Sequence, residues 1–240
     1  MTATLAALCV DANDPRRLAR FWAAALGWEI AHETSGEVRL APSDDTGFDI
    51  VFVRVPEPKV GRNRIHFDLT TASLDDQRES VASLLALGGH HLDIGQAADI
   101  EHVVLADPEG NELCLIEPWN GFLAGCPRLG ALSCDGSRAV GLFWSRVLDW
   151  PLVWDEGEET AIRAPNGTGS IISWGGGPEF PKLGKARLHF DISPADGEQA
   201  TEVERLLALG ASRVDIGQGD VSWVVMSDPD GNEFCVLPSP

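Results

Sequence analysis

Arg64-Ile65-His66-Phe67-Asp68 returns as Arg187-Leu188-His189-Phe190-Asp191, an offset of 187 − 64 = 123 residues. Its surroundings return with it. Phe21-Trp22 reappears as Phe143-Trp144, and Leu84-Leu85-Ala86-Leu87-Gly88 as Leu206 to Gly210. Asp107-Pro108-Glu109-Gly110-Asn111-Glu112 reappears as Asp228-Pro229-Asp230-Gly231-Asn232-Glu233. One segment is therefore written twice, and we divide the chain into residues 1–119, a linker at 120–128, and residues 129–240. Residues kept in both copies are candidates for what the fold needs. Residues present in one copy only are candidates for what one site does.

Each copy divides again. Leu5 to Val10 is a short apolar run suited to a strand. Asp14-Pro15 predicts a helix start, with Asp as cap and Pro in the first turn. Leu18, Phe21, Trp22, Ala25 and Leu26 follow at helical spacing, and Gly27 predicts the stop. Three strand-like stretches come next. The pattern restarts at Arg64, where Ile65, Phe67 and Leu69 occupy one strand face and Arg64, His66 and Asp68 the other. A helix over Leu74–Leu87 and three further strands complete the copy. The unit is strand–helix–strand–strand–strand, present four times, which predicts an α+β fold.

Composition excludes several functions. The chain of 240 residues carries a net charge of −19, which disfavours nucleic acid and anionic membranes as partners. A cationic ligand is compatible with it, although solubility alone also accounts for it. No apolar run approaches the roughly 20 residues needed to cross a bilayer. Met1 to Leu8 lacks a basic flank, so the expected location is the cytoplasm, with the five cysteines as free thiols.

Four βαβββ units with these strings resemble the vicinal-oxygen-chelate superfamily, also called the glyoxalase/bleomycin-resistance/dioxygenase superfamily. The strings that carry the resemblance are Val10 to Pro15, Leu18 to Trp22, Leu26-Gly27-Trp28, Pro56 to Lys59, Asn63 to Leu69 and Asp107 to Cys114. It implies two tandem glyoxalase-like domains with curved, cup-shaped mixed sheets, a small-molecule site inside the cup, and a monomer or a homodimer. Active members of the family hold a divalent metal there as a Lewis acid, on a His or Gln in the first strand, a His in the strand opening the second unit, and a Glu in the last strand.

Carried over by position, that triad is incomplete. The first-strand position falls at Ala7 and Ala131, the middle one at His66 and His189, and the last at Cys114 and Cys235. Two protein ligands rarely hold a catalytic divalent ion, so the usual metal site is expected to be lost in both copies and no cofactor is expected. Zinc, nickel, manganese or iron would need an unusual donor set. One such set would be His66, His102 and Cys114, with Trp223 replacing His102 in the second copy.

His66 and His189 are the candidate catalytic residues. A structural role in the sheet accounts for them equally well. Asp68, His102, Glu112, Cys114, Asp191, Trp223, Glu233 and Cys235 are the candidate ligand-binding residues. For the cysteines a small wall residue is the plainer reading, and for Glu112 and Glu233 a structural hydrogen bond. Trp22, Trp28, Trp144 and Trp150 read as helix-to-sheet packing, whereas Trp119, Trp154, Trp174 and Trp223 could line a pocket for an aromatic ligand. Lys59 and Lys182 precede the His strands in loops.

Two functional readings follow. The first is a protein that binds a small cationic or aromatic molecule in the cup without turnover. The second is a lyase, isomerase or dioxygenase-type enzyme acting on a small oxygenated metabolite. The chain has no Tyr, and ring-cleaving members commonly place one beside their metal, so that activity is disfavoured.

Overall fold

The computed structural model describes residues 2–95, 100–175, 182–195 and 197–239. The first unit runs β1 (Ala3–Ala12), α1 (Pro15–Leu26), β2 (Glu29–Glu33), β3 (Glu37–Ala41) and β4 (Asp49–Arg54). The second is β5 (Ile65–Leu69), α2 (Leu74–Ala86), β6 (His90–His91), β7 (Val103–Ala106) and β8 (Glu112–Leu115). The third is β9 (Leu129–Cys134), α3 (Arg138–Leu148), β10 (Leu152–Glu156), β11 (Glu159–Ile162) and β12 (Ile171–Trp174). The fourth is β13 (Leu188–Pro194), α4 (Gln199–Leu209), β14 (Ser212–Arg213), β15 (Val224–Ser227) and β16 (Glu233–Val236). Among the described residues no helix is long and apolar enough to cross a membrane.

Local chemistry sets the helix boundaries as expected. Asp14 accepts from the Arg17 backbone N–H at 3.2 Å, and Pro15 occupies the first turn. Gly27 closes α1 in the left-handed region at φ 72°. In the repeat, Asp149 takes that role at φ 56°, one of the few side chains that tolerate it. Leu18, Phe21, Trp22, Ala25 and Leu26 are all buried. Each large apolar side chain moved from water into that core contributes about 1.5–3 kcal/mol. Trp22 lies 4.0 Å from Phe67 between ring centroids, and Trp144 stacks on Trp174 at 6.5 Å.

The sheets reveal a pairing that the repeat did not determine. One eight-stranded sheet has the order β14-β15-β16-β13-β1-β4-β3-β2, and the other β10-β11-β12-β9-β5-β8-β7-β6. Each sheet thus takes one unit from each repeat. The first and fourth units join through antiparallel β1 and β13, and the second and third through antiparallel β5 and β9. Within each unit the first strand lies parallel to the last. Both sheets are mixed and open, and their edge strands do not close into barrels.

The repeats are held together by other means. Glu109 accepts from the backbone N–H groups of Asn13 and Asp14 at 2.8 and 2.7 Å, so the turn of the second unit caps the helix of the first. Asp230 does the same for Ser137 in the second repeat, at 2.6 Å. The turn strings that looked like plain punctuation are therefore the joints between units.

Candidate functional site

The β5/β9 sheet carries the clearest concavity. Alternation along β5 sends Ile65, Phe67 and Leu69 into the helix-side core and His66 and Asp68 to the opposite face. His66 Nε2 lies 3.5 Å from Asp68 Oδ1. Ser133, opposite His66 on β9, donates to Asp68 Oδ2 at 2.5 Å and lies 3.3 Å from Ser173 Oγ. A cavity of ≈ 800 Å³ opens here, lined among others by His66, Ser133, Ser173, Phe122, Trp154, Arg62 and Arg163. Ala131, Ala161, Ile171, Val104 and Cys114 form an apolar cluster on this face, separate from the main core. Phe122 comes from the linker and packs edge-on against Trp154, with ring centroids 6.1 Å apart.

Cys114 sits beside Asp68 in the sheet register. Burial, then the neighbouring Asp68 carboxylate, push its thiol well above the usual range. It is a poor nucleophile at neutral pH for that reason. His66, Asp68 and Cys114 place ligating atoms within 4.8 Å of one another. The alternative trio that the sequence left open, His66, His102 and Cys114, is not among the groups brought together in the described residues. His102 is half-buried just before β7 and stays outside the group, which Asp68 completes instead. Its counterpart Trp223 is 40% exposed and is not among the cavity-lining residues. Of the other tryptophans, Trp154 and Trp174 do line the cavity.

The β1/β13 sheet presents the related constellation around His189. Its Nε2 lies 3.4 Å from Asp191 Oδ1. Cys9, two residues beyond Ala7 on the same strand face, stands opposite His189 in the antiparallel register. Cys235 stands beside Asp191 on β16. Burial works against protonation of the His189 imidazole, but the Cys9 sulfur, Asp191 and Cys235 outweigh it and hold its pKa well above the ordinary range. Burial raises the Cys9 thiol, with His189 pulling the other way. The sequence reading did not single out Cys9. The alternation Ala7, Cys9, Asp11 was the signal that it shares a face with the first-strand ligand position.

Glu112 and Glu233 are buried and occupied structurally. Glu112 accepts from Lys59 Nζ at 2.8 Å and from the Asn63 backbone N–H at 3.4 Å. Glu233 accepts from Lys182 Nζ and from the Ala186 backbone N–H. These pairs pin the loops that lead into the His strands, which also explains both lysines. All five cysteines are free.

The family's usual metal triad does not fit these residues. Ala7 and Ala131 offer only methyl groups, paired opposite Asp191 and Asp68, and thiols stand at the last-strand positions. No catalytic step can be written through that triad here.

The glyoxalase-like domain family model matches residues 7–116 and again 131–237. Glyoxalase I from Zea mays is similar in structure, with 13% identity, a TM-score of 0.67, and coverage of 99% of this chain and 92% of that one. A protein of Bacillus subtilis subsp. subtilis str. 168 with a provisional dioxygenase name matches with 14% identity, a TM-score of 0.62, and coverage of 100% of this chain and 86% of that one. At such identities these likenesses carry the fold alone. No curated protein matches the chain. With both repeats matched by the one model, the chain belongs to the glyoxalase-like domain family.

Proposed function

We propose that the chain binds a small organic molecule in the β5/β9 cup. The observation that carries this reading is the ≈ 800 Å³ cavity, which falls in the size range of small-molecule sites. Its chemistry suits a flat, partly apolar ligand. Phe122 and Trp154 offer aromatic faces, Ile171 an apolar wall, and His66, Ser133 and Ser173 hydrogen-bonding groups. The cavity wall carries Arg62 and Arg163 as well as Asp135 and Glu159. A purely cationic ligand is therefore not singled out by this site, whatever the charge of the whole chain.

A second reading rests on the His66–Asp68 contact. A carboxylate 3.5 Å from the imidazole can orient it, and His66 lines the cavity. That arrangement is suited to moving a proton at a bound oxygenated metabolite, with Asp68 stabilising the charged imidazole.

Both readings are tested by screening aromatic and oxygenated metabolites by thermal shift, followed by fluorescence titration of each hit. Trp154→Ala should weaken binding about tenfold, or roughly 1.4 kcal/mol. His66→Gln should leave affinity within about threefold if His66 acts only in proton transfer. A hit whose affinity is untouched by Trp154→Ala lies elsewhere, and the cup reading then fails. Turnover of a hit that disappears in His66→Gln would favour the enzyme.

A further inference from the structure

The two serines on the wall of the β5/β9 cup have a fixed hydrogen-bond polarity. Ser133 Oγ donates to Asp68 Oδ2 at 2.5 Å. A serine hydroxyl carries one proton and two lone pairs, and a carboxylate has only lone pairs to offer. The Ser133 proton is therefore spent on Asp68. Ser173 Oγ lies 3.3 Å from Ser133 Oγ. With the Ser133 proton already placed, Ser173 is the donor in that contact, and its proton is spent too. Both serines are half-buried and line the cavity, whereas Asp68, which anchors them, is not among the lining residues. His66 Nε2 faces the other Asp68 oxygen at 3.5 Å. What Ser133 and Ser173 hold out to a ligand is lone pairs alone. The arrangement belongs to one cup. The matching pair on β1 and β4 of the other sheet is Cys9 and Val51, which carry no hydroxyl.

We propose, resting on the reading that the β5/β9 cup binds a flat organic molecule, that Ser133 and Ser173 determine its class. The ligand is an aromatic alcohol or amine, whose O–H or N–H donates to the serine pair. A carbonyl, ether or carboxylate oxygen placed there would meet lone pairs with no proton between them. It would give up its hydrogen bonds to water and gain none in exchange. This demand is the reverse of that made by the family's metal-bearing cup, where the ligand supplies lone pairs to a cation. Here the anchoring carboxylate makes the protein the acceptor and the ligand the donor. Phe122 and Trp154 offer their faces to the ring, and acceptor groups elsewhere on the ligand have Arg62 and Arg163 on the same cavity wall.

The test uses the full chain and three probes of similar shape: 2-naphthol, which donates, and 2-methoxynaphthalene and 2-naphthaldehyde, which only accept. Isothermal titration calorimetry gives each dissociation constant. The wild type should bind 2-naphthol about tenfold more tightly than either of the others. Ser133→Ala frees the Ser173 proton for the ligand, so the preference should fall to within about threefold. Ser133→Thr keeps the hydroxyl and should keep the preference. Equal affinities in the wild type, all weakened by Trp154→Ala, leave the cup reading standing and overturn this proposal. A preference that survives Ser133→Ala overturns it as well, and so does the absence of 2-naphthol binding. Binding of 2-naphthol that Trp154→Ala leaves untouched lies elsewhere, and the cup reading then fails together with the proposal.

Discussion

Trp22 donates its indole N–H to Asp107 Oδ2 at 2.9 Å, joining the helix of the first unit to the turn of the second. Trp144 and Asp228 repeat the contact at 3.3 Å. Each aspartate is the hub of its turn. Asp107 Oδ1 also accepts from the Glu109 and Asn111 backbone N–H groups, and Oδ2 from Asn111 Nδ2. The Phe-Trp pair and the Asp-Pro-x-Gly-Asn string, far apart in sequence, therefore return together because they are two halves of one joint.

Asp107→Ala should cost on the order of 3–5 kcal/mol, because several buried donors lose their acceptor at once. Urea unfolding followed by tryptophan fluorescence measures it. A loss under about 1 kcal/mol would mean that water replaces the carboxylate, against its complete burial.

The two turns differ by one methylene, and that difference should be measurable. Glu109 is long enough to cap α1 and also accept from Arg187 of the fourth unit, with both side chains under 10% exposed. Asp230, in the matching place, caps Ser137 through its carboxylate, and Arg64 takes its backbone carbonyl and the Asn232 side chain. Glu109→Ala takes the carboxylate partner from the buried Arg187 guanidinium, which keeps only the neutral acceptors of Glu57 and Asn13, and should cost about 3–5 kcal/mol. Asp230→Ala removes chiefly a cap and should cost about 1 kcal/mol. Equal losses would contradict this division of labour.

Gly141→Ala should destabilise the chain even though alanine is the better helix former by about 1 kcal/mol. A Cβ at Gly141 would sit 1.9 Å from Thr160 Oγ1 and 2.7 Å from Thr160 Cβ. Thr160 is itself buried at 1% exposure and has no room to retreat. The expected net loss is about 1–3 kcal/mol by thermal or urea unfolding. Thr160→Ala with Gly141→Ala, which removes the nearest clashing atom, should recover part of it, and a stabilised single variant would refute the packing argument.

The first repeat expressed alone, residues 1–119, should associate. Without β13 and β9, strands β1 and β5 become exposed edges with free backbone donors and acceptors. Because the repeats are alike, β1 of one copy can pair with β5 of another. Size-exclusion chromatography with light scattering should therefore report a dimer. A stable monomer would show that β1 and β5 can pair within one repeat.

The unit was legible because it is locally encoded. Alternation along Arg64 to Leu69 assigns His66 and Asp68 to one face, and it does so whatever strand lies alongside. The cap at Asp14, the stop at Gly27 and the apolar stripe of α1 are likewise short-range facts. The loss of the usual metal triad could also be read by position, since Ala7 and Ala131 have no donor atom. The alternative His66–His102–Cys114 grouping required the His102 side chain to enter the cup, which only the tertiary structure decides, and Asp68 stands beside Cys114 instead.

Sequence alone thus determined the four βαβββ units, the face each strand residue occupies and the family they resemble. Tertiary structure decided which units share a sheet, because strand pairing is made by backbone groups that every residue carries and that leave little mark on composition. That choice set Cys9 against His189, residues 180 apart in the chain (189 − 9), and Ser133 against His66. It also brought Trp154 and the linker's Phe122 over the β5/β9 cup. The difference between the two cups is built from those long-range registers, and so it exists only in the folded chain.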